Sequence, residues 1–414
     1  MNVRISPFLA RGEVFAPPSK SVAHRLLILA GLKNGKTTVR NIGRSADVIA
    51  TCNCLRALGA EVVIGDNCAT VVGISQVKRG AILDCNESGS TLRFLLPVAG
   101  ALGANATFLG SQRLLSRPCG ELIDEMERHG VLSNGWSVEG RLEGGEFNID
   151  ATVSSQFITG LLLALPVLKD DSKINLNGKV VSKDYINITL STLEKAGVVY
   201  QKLGNSIIIK GNQGINLPDE VTVEGDWSGA SFPLVLGAIN GKVTVRGLDI
   251  NSCQGDKEIL AVLKKAGAEV EIIGDKITVS GERLKAFSHD FDGIPDLAPI
   301  CAVLAGACEG ESVLSGIERL RIKESDRVLT TVQMLSGAGI FAEERDGKIA
   351  VRGGKAVGCT FDGANDHRIV MSSAVLGSVA GGESVIIGSE AVRKSYPEFF
   401  EDFIALGGSI DVTV

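Results

Sequence analysis

One pattern recurs six times along the sequence at nearly constant spacing. In each copy a helix-like segment ends in a glycine and a strand-like segment follows at once, as in LRALGAEVVI and LKKAGAEVEI. Glycine adopts the left-handed conformation after a helix at little cost, so each marker glycine predicts a helix-to-strand junction. Six junctions at one period predict a chain built from six similar units. The markers, which lie 71, 67, 70, 72 and 69 residues apart, are Gly59, Gly130, Gly197, Gly267, Gly339 and Gly408.

Each unit of about 70 residues is too long for a helical solenoid repeat or a propeller blade. We expect a small α/β subdomain with two helices and about four strands. Hairpins are predicted where Gly204-Asn205 and Gly274-Asp275 precede runs of alternating β-branched residues. Three units in each half predict two similar lobes with a cleft between them, and a length of 414 residues agrees with two domains.

Two stretches predict where the chain passes from one lobe to the other. The glycine-rich segment 223–231 is a candidate hinge, and the two prolines of segment 16–19 mark a second crossing. We therefore expect residues 1–15 and 228–414 to form the C-terminal lobe. Residues 16–227 are expected to form the N-terminal lobe.

Composition excludes several classes of protein. A net charge of -6 argues weakly against nucleic acid as the main partner. Nine cysteines without a paired pattern indicate small buried side chains in a reducing compartment. We expect no signal peptide, no membrane span and a cytoplasmic location. We expect no metal and no cofactor, because four scattered histidines and the pair Cys52 and Cys54 lack the spacing of a metal site.

Segment 31–37 resembles a nucleotide-binding loop but does not match its pattern. In segment 31–37, GLKNGKT, only three residues separate the glycines where that loop has four. It also follows a helix-like run and precedes a strand, the reverse of the order that the loop requires. We predict a simple helix-to-strand turn here.

Seven segments are rich in small polar residues, and six of them contain lysine or arginine. Hydroxyls and backbone N–H groups at a helix start bind phosphate or carboxylate, and arginine adds a planar pair of donors. The combination indicates a site for anions. The segments are 19–25, 88–93, 116–118, 154–156, 321–327, 365–368 and 393–397.

Each segment alone also has a structural interpretation. Ser19 is a candidate cap for a helix that carries Ser21 and Arg25 on one face. Asp296 is equally a candidate helix cap, and capping also competes with function before His367. The pair Lys323 and Arg327, four residues apart, is typical of a solvated charged face.

Taken together, these segments closely resemble the EPSP synthase (3-phosphoshikimate 1-carboxyvinyltransferase) family. The resemblance runs from PPSKSVAHR to RKSYPEFFEDF, through ESGSTLRF, SSQFITGLLLALP, EGDWSGAS, IPDLAPI, RIKESDR and NDHRIVM. It implies an α/β protein of two similar lobes, each made of three βαβαββ repeats, in the inside-out α/β barrel of the enolpyruvyl transferase fold. It also implies transfer of the enolpyruvyl group of phosphoenolpyruvate to the 5-hydroxyl of shikimate 3-phosphate, by a monomer that needs no cofactor.

The resemblance assigns roles position by position. Asp296, Glu324 and Lys20 are implied to be catalytic, Asp296 accepting the hydroxyl proton and Glu324 donating one to the methylene carbon. Residues implied to hold shikimate 3-phosphate are Lys20, Ser21, Arg25, Ser154, Ser155, Gln156, Ser182, Tyr185, Asp296 and Lys323. Residues implied to hold phosphoenolpyruvate are Lys20, Gly89, Arg93, Arg117, Gln156, Arg327, His367, Arg368 and Lys394.

Three positions depart from the common family pattern. Glu87 stands where asparagine is frequent, Phe94 replaces a proline, and Arg319 stands where an asparagine often contacts the shikimate phosphate. These changes are expected to tune affinity for phosphoenolpyruvate or for glyphosate, which competes with it in this family.

Charge explains why such a site needs many cations. Each substrate carries a carboxylate and a phosphate, so the pair brings roughly five to six negative charges. Seven of the implied cations match that demand, and their mutual repulsion predicts a form that is open without substrate and closes on binding. The seven are Lys20, Arg25, Arg117, Lys323, Arg327, Arg368 and Lys394. The alternative enzyme is UDP-N-acetylglucosamine enolpyruvyl transferase, whose reactive cysteine precedes an Arg-Pro, whereas Cys119 follows Arg117-Pro118. A non-catalytic anion-binding protein is the alternative of another class.

Overall fold

The computed structural model describes residues 1–413, which form two compact units. Pro18–Val223 forms one unit, called here the inserted unit. Met1–Pro17 and Glu224–Val414 form the other, called here the split unit because the inserted unit interrupts it in sequence.

Helices alternate with strands throughout the described chain. The α-helices are α1 (Lys20–Leu32), α2 (Ala46–Leu58), α3 (Gly89–Leu102), α4 (Gln112–Leu115), α5 (Gly120–Arg128), α6 (Ser155–Ala164), α7 (Lys183–Lys195), α8 (Trp227–Asn240), α9 (Ile259–Lys265), α10 (Ala298–Gly306), α11 (Arg327–Gly337), α12 (His367–Gly377) and α13 (Phe399–Ala405). Short 3-10 helices occur at Leu165–Val167, Gly255–Glu258, Pro295–Leu297, Glu318–Ile322 and Ser389–Lys394.

The strands are short, between three and six residues. They are β1 (Asn2–Ile5), β2 (Ala10–Phe15), β3 (Lys36–Arg40), β4 (Glu61–Ile64), β5 (Cys68–Val72), β6 (Ile82–Asp84), β7 (Ala106–Leu109), β8 (Val131–Asn134), β9 (Ser137–Gly140), β10 (Glu146–Asp150), β11 (Ser172–Asn177), β12 (Tyr200–Leu203), β13 (Ser206–Ile209), β14 (Glu220–Thr222), β15 (Gly241–Arg246), β16 (Glu269–Ile273), β17 (Lys276–Ser280), β18 (Ser288–Asp290), β19 (Glu311–Ser315), β20 (Phe341–Arg345), β21 (Lys348–Arg352), β22 (Thr360–Asp362), β23 (Ser384–Ile387) and β24 (Ile410–Thr413).

The strands form six four-stranded sheets of one topology, which confirms the predicted repeat. In the second repeat, β6 and β7 pair in parallel through α3, and the β8–β9 hairpin joins the sheet because β9 pairs antiparallel with β7. The inserted unit holds sheets β14-β3-β5-β4, β6-β7-β9-β8 and β10-β11-β13-β12. The split unit holds sheets β16-β17-β15-β2, β18-β19-β21-β20 and β22-β23-β1-β24. Each sheet has open edges. Where all four strands of a sheet come from one continuous stretch of chain, the elements follow the order βαβαββ.

Three sheets draw a strand from a distant part of the chain. β1 lies between β23 and β24, with Val3 opposite Ile386 on one side and Val412 on the other. β2 pairs in parallel with β15, and β14 pairs in parallel with β3. The N-terminal residues 1–15 are therefore structural parts of two C-terminal repeats.

The first helix of each repeat is mostly apolar and buried on nearly all sides, and it forms the core. In the inserted unit these helices are α1, α3 and α6, and in the split unit they are α8, α10 and α12, nearly all of whose residues are buried. A helix that is hydrophobic all round is stable only when it is covered on all sides. The sheets and the half-exposed second helices provide that cover.

The glycine junctions are confirmed at five of the six markers. Gly59, Gly130, Gly197, Gly267 and Gly339 have φ between 71° and 117° at helix ends. The sixth assignment is wrong by one residue: Gly407, with φ 103°, follows α13, whereas an added Cβ at Gly408 would lie 2.6 Å from the Phe403 ring.

Other local predictions meet mixed outcomes. The hairpins at Gly204-Asn205 and Gly274-Asp275 and the helix-to-strand turn at 31–37 are confirmed. The segment 223–231 is not all linker, because α8 begins at Trp227 and an added Cβ at Gly229 would lie 2.5 Å from Pro17. All nine cysteines are free, but Cys253 is exposed rather than buried. No helix within residues 1–413 is long and apolar enough to cross a membrane.

Candidate active site

In the inserted unit, the first turns of four helices come together. Lys20 begins α1, and its Nζ lies 2.7 Å from Oδ2 of Asp47 in α2. Thr91 of α3 donates to the Asp47 carbonyl at 3.3 Å, and Gln156 of α6 donates to the Ser90 hydroxyl at 3.2 Å. Helix N-termini attract anions through their unpaired N–H groups and their dipole. This convergence therefore produces a positive region that the sequence alone only suggested.

Arg25 lies in a buried pocket lined by neutral oxygens. Its guanidinium donates to Oγ1 of Thr189 at 2.8 Å, to Oγ1 of Thr159 at 3.2 Å and to the Tyr185 carbonyl at 3.0 Å. Phe94 packs beside it, with 5.0 Å from Cζ to the ring centroid. Burial lowers the pKa of Arg25 to about 9, since no carboxylate among these partners offsets the loss of water. A buried cation of this kind favours an anionic ligand nearby.

Gly89 makes room for two guanidinium groups at the start of α3. An added Cβ would lie 2.8 Å from an Nη of Arg93 and 3.0 Å from an Nη of Arg117. Arg93 is buried and donates to the Pro118 carbonyl at 3.0 Å. Ser88 caps the helix by accepting from the Thr91 N–H.

The α6 and α7 ends present the predicted hydroxyl residues. Ser154 caps α6 by accepting from the Gln156 N–H at 3.2 Å, and Ser155 begins the helix. Ser182 precedes α7 in the left-handed conformation, with φ 49° and ψ 46°. A residue other than glycine is strained in this conformation. Strained residues of this kind are often found at functional sites.

In the split unit, Asp296 is surrounded by cations from two other elements. Its carboxylate lies 2.8 Å from Arg327, 3.5 Å from Lys323 and 3.6 Å from Arg368. Burial raises the pKa of Asp296, but the positive charges of Lys323, Arg368 and Arg327 outweigh it and hold the pKa well below its ordinary value. Asp296 is thus an ionised acceptor.

Arg327 ties the acids of this unit together. Its guanidinium donates to Glu324 at 2.7 Å and to Asp366 at 2.7 and 3.1 Å, in addition to Asp296. Burial opposes its charge, but Asp366, Glu324 and Asp296 raise the pKa of Arg327 above its ordinary value. The interpretation of Lys323 and Arg327 as a solvated face is therefore wrong.

Arg368 and Lys394 complete the group. Arg368 is the second residue of α12, after His367, and its Nη1 donates to the Ser228 carbonyl of α8 at 3.1 Å. Lys394 donates to the Asn365 carbonyl at 2.5 Å, one residue before the α12 cap. His367 is buried in the first turn of α12. The starts of α8, α10, α11 and α12 thus meet as the helix starts do in the inserted unit.

Two of the capping interpretations are wrong. Ser19 occupies the position before α1 but makes no side-chain capping bond. Asp296 lies in a 3-10 helix and binds cations, while Leu297 precedes α10 without a side-chain cap. Before His367, the cap is Asp366, which accepts from the Arg368 N–H and also pairs with Arg327, so it performs both tasks.

Three acids were not predicted as site residues. Asp47 pairs with Lys20, Asp366 pairs with Arg327, and Asp256 lies buried close to Arg368 and Asp296. Asp366 lies in segment 365–368, one of the seven segments that indicated an anion site, so its position in the sequence could have identified it as a site residue. Asp47 and Asp256 have no local signal, because their partners lie on other helices.

The departures from the family pattern have different surroundings. Phe94 packs on Arg25 as described. Arg319 lies near enough to Lys323 to lower its pKa, although burial of Lys323 is the larger cause. Glu87 is half-buried just before Ser88. Among residues 1–413, no group of three or more histidine, cysteine or acidic side chains is arranged to hold a metal ion.

Comparison with known proteins decides the family. The model of the family described as EPSP synthase (3-phosphoshikimate 1-carboxyvinyltransferase) matches residues 9–403. The chain belongs to the EPSP synthase family. It is therefore a transferase of the shikimate pathway, as the resemblance implied.

Relatives and solved structures of the EPSP synthase family agree over the full length. A 3-phosphoshikimate 1-carboxyvinyltransferase of Clostridium kluyveri is 39% identical, covering 99% of this chain and 98% of that protein. One of Methanocorpusculum labreanum is 35% identical, with 99% of both covered. An EPSP synthase structure from Acinetobacter baumannii has a TM-score of 0.83 at 23% identity, over 99% of this chain and 100% of that one. The enolpyruvyl transferase NikO of Streptomyces tendae has a TM-score of 0.79 at 17% identity, over 100% of this chain and 98% of that one. Both structures confirm the enolpyruvyl transferase fold.

Proposed function

We propose that this member of the EPSP synthase family transfers the enolpyruvyl group of phosphoenolpyruvate to the 5-hydroxyl of shikimate 3-phosphate. The products are 5-enolpyruvylshikimate 3-phosphate and phosphate. The observation that carries the residue assignment is the ionised Asp296 held among Lys323, Arg327 and Arg368, with Glu324 on the same arginine. It supplies a base, a second acid group and cations in one place.

The two units take different tasks in this proposal. The inserted unit holds shikimate 3-phosphate, chiefly through Lys20, Arg25 and the hydroxyls at the starts of α6 and α7. The split unit supplies the acids, and its Arg327, Arg368 and Lys394 bind phosphoenolpyruvate. The buried Arg25 has neutral hydrogen-bond acceptors, so its positive charge is not balanced by them. This supports the proposal that the inserted unit binds an anionic substrate.

The reaction proceeds by addition and elimination. Asp296 takes the proton of the 5-hydroxyl as its oxygen bonds to the central carbon of phosphoenolpyruvate, and Glu324 gives a proton to the methylene carbon. In the elimination step the Glu324 carboxylate takes a proton back from the new methyl group as the C–O bond to phosphate breaks, and the departing phosphate receives the proton that Asp296 took from the hydroxyl. Cations around the phosphate stabilise the charge that it carries away.

The ion pair between Glu324 and Arg327 sets a condition on this mechanism. In the free protein the pair favours the carboxylate form of Glu324. Phosphoenolpyruvate competes for Arg327 and adds negative charge beside Glu324, and both effects favour the protonated acid. Glu324 is thus expected to become a proton donor only when phosphoenolpyruvate is bound.

The alternative function, enolpyruvyl transfer to UDP-N-acetylglucosamine, would require a reactive cysteine, and Cys119 does not have the properties of one. Cys119 precedes α5 as its cap residue, is buried, and has a pKa that burial raises to about 11. A buried thiol of high pKa is unreactive. We also propose a monomer in the cytoplasm, which agrees with nine free cysteines.

The deciding assay measures phosphate release from phosphoenolpyruvate with and without shikimate 3-phosphate, in the presence of a chelator. Release that depends on shikimate 3-phosphate is expected. Asp296→Asn and Glu324→Gln should each lower kcat by about 10²- to 10⁴-fold, the usual size of a general acid or base contribution, with KM nearly unchanged. Glu343→Gln, which alters a half-exposed acid in the same unit, serves as the control. Near-normal kcat in either site variant would refute that residue's role.

A further inference from the structure

Four buried polar side chains, called here the polar chain, connect three helices of the inserted unit. Nδ1 of His24 in α1 lies 2.7 Å from Oγ1 of Thr51 in α2, and that oxygen lies 2.7 Å from Oγ1 of Thr91 in α3. Thr91 in turn lies 2.7 Å from Oγ of Ser88, the residue that caps α3. All four side chains are fully buried. Such a chain resists movement of its helices, because breaking one contact leaves a buried polar atom without a partner.

One direction of donation satisfies the donors of the polar chain. Nε2 of His24 has no hydrogen-bond partner within residues 1–413, so a proton there would be a buried donor without an acceptor. The proton therefore lies on Nδ1 and is donated to Thr51, whose hydroxyl donates to Thr91. The single hydroxyl proton of Thr91 is then donated to Ser88 Oγ or to the Asp47 carbonyl, which is 3.3 Å away.

The surroundings of His24 keep this direction fixed. Burial and, after it, the positive charges of Lys20 and Arg25 hold the pKa of His24 well below its ordinary value. The ring is therefore neutral near pH 7 and carries one N–H. The ring of Phe94 meets it edge-on, with 6.3 Å between the centroids, so this side of the ring is apolar.

The polar chain ends beside residues that the family resemblance assigns to the substrates. In α1, His24 directly precedes Arg25, which is assigned to shikimate 3-phosphate. In α3, the cap residue is followed by Gly89, which is assigned to phosphoenolpyruvate and has two guanidinium groups beside it. The branch to Asp47 reaches the residue whose carboxylate lies 2.7 Å from Nζ of Lys20.

We infer that Thr51, the middle member of the polar chain, is a positioning residue of the proposed reaction, which fixes the first turn of α3 relative to Lys20 and thereby strengthens the binding of phosphoenolpyruvate. The inference rests on the proposed function. The role does not require Thr51 to touch either substrate. Arg25 is held separately by Thr189, Thr159 and backbone carbonyls, so the binding of shikimate 3-phosphate should depend less on Thr51.

The test compares Thr51→Val, which keeps the shape of the side chain and removes the hydroxyl, with Thr51→Ser, which keeps the hydroxyl. Thr192→Val is the matched control, because it removes another buried hydroxyl of the inserted unit, one that donates to the Ile188 carbonyl of its own helix. Steady-state kinetics give kcat and the KM for each substrate.

In Thr51→Val, KM for phosphoenolpyruvate should rise by about three- to tenfold, the fold-change that corresponds to one ordinary hydrogen bond. KM for shikimate 3-phosphate and kcat should stay within about twofold of the wild type, since Arg25 and the acids of the split unit keep their own contacts. Thr51→Ser should return KM for phosphoenolpyruvate to within about twofold of the wild type, and Thr192→Val should leave it within the same range.

Three kinetic results would overturn the inference: an unchanged KM for phosphoenolpyruvate in Thr51→Val, no recovery in Thr51→Ser, or equal rises in both KM values. Should Thr51→Val fail to fold, nitrogen-15 magnetic resonance of the wild type, labelled at histidine, decides. The signals of His24, identified by their loss in His24→Asn, should report a neutral ring protonated at Nδ1 from pH 6 to pH 8, and protonation at Nε2 would contradict the inference. A wild type without phosphate release dependent on shikimate 3-phosphate would instead refute the proposed function.

Discussion

Replacing Arg327 tests whether one buried cation holds the acids of the split unit together. Arg327 is 1% exposed and donates to Asp296, Glu324 and Asp366 at 2.7 to 3.1 Å. Arg327→Gln leaves three carboxylates close together without it. Removing one partner of a buried ion pair costs about 3–5 kcal/mol. For a unit of this size that corresponds to a melting temperature lower by roughly 6–20 °C.

The loss of unfolding free energy in Arg327→Gln should depend on pH, and the pKa of Asp366 determines the direction of that dependence. Burial raises the pKa of Asp366, but Arg327 outweighs it and keeps the pKa below the ordinary 3.8. In the wild type this pairing contributes stability above pH 3.8 that is lost as the pH falls through the folded pKa. Without Arg327, burial dominates and the folded pKa rises above 3.8. The variant then gains stability on protonation, so its deficit should be largest near pH 8 and shrink toward pH 5.

The assay is thermal and urea unfolding of wild type and variant at pH 8 and pH 5. Arg345→Gln is the matched control, since Arg345 is about half exposed and pairs with Glu311 at 2.9 Å. An exposed pair contributes about 0–1 kcal/mol, so this control should stay within that range at both pH values. A deficit for Arg327→Gln below about 1 kcal/mol at pH 8, or one equal at both pH values, would refute the reasoning.

Two further predictions concern the inserted unit. In Gly89→Ala the added methyl must displace the guanidinium groups of Arg93 and Arg117, so KM for phosphoenolpyruvate should rise about tenfold while KM for shikimate 3-phosphate stays within about twofold; steady-state kinetics with each substrate varied would contradict this if both constants moved together. Ser182→Gly relieves a left-handed residue, so the free energy of unfolding should change by less than about 1 kcal/mol while the lost hydroxyl raises KM for shikimate 3-phosphate by about tenfold. Unchanged KM would remove Ser182 from the proposed site.

The repeat and its junctions were predictable because they depend on local chemistry. A glycine after a helix has the same conformational advantage wherever it occurs. Gly59, Gly130 and Gly197 therefore predict the ends of their helices without knowledge of tertiary contacts. At the last junction two glycines are adjacent, and only the packing of Phe403 decides that Gly407 and not Gly408 is left-handed.

The candidate site was predictable in its members but not in its pairing. Segment composition pointed to Lys20, Arg327 and two of the acids that pair with Arg327, Asp296 and Glu324, but Asp47 and Asp366 were missed. Asp47 lies 27 residues from Lys20 and Asp366 lies 39 residues from Arg327, on other helices. Such pairs exist only after the helix starts have converged, and no period or propensity encodes them. The same limit explains why Ser19 and Asp296 follow capping rules in sequence but not in the structure.

The pairing also changes one physical expectation. Seven cations were expected to repel one another, but Lys20, Lys323, Arg327 and Arg368 each face a carboxylate within their own unit. Their repulsion without substrate is correspondingly weaker. A large part of substrate recognition then consists of exchanging an internal acid for a substrate anion, which leaves affinity sensitive to each acid's protonation.

The position of β1 between β23 and β24 has a consequence for how the protein is made. A ribosome releases the first five residues at the outset, but both neighbouring strands of that sheet emerge only after residue 384. The inserted unit has all of its own residues available from Val223 onward and can complete its core first. The split unit must keep its opening strands unpaired for most of synthesis, so deleting residues 1–5 removes a central strand and not a dispensable tail.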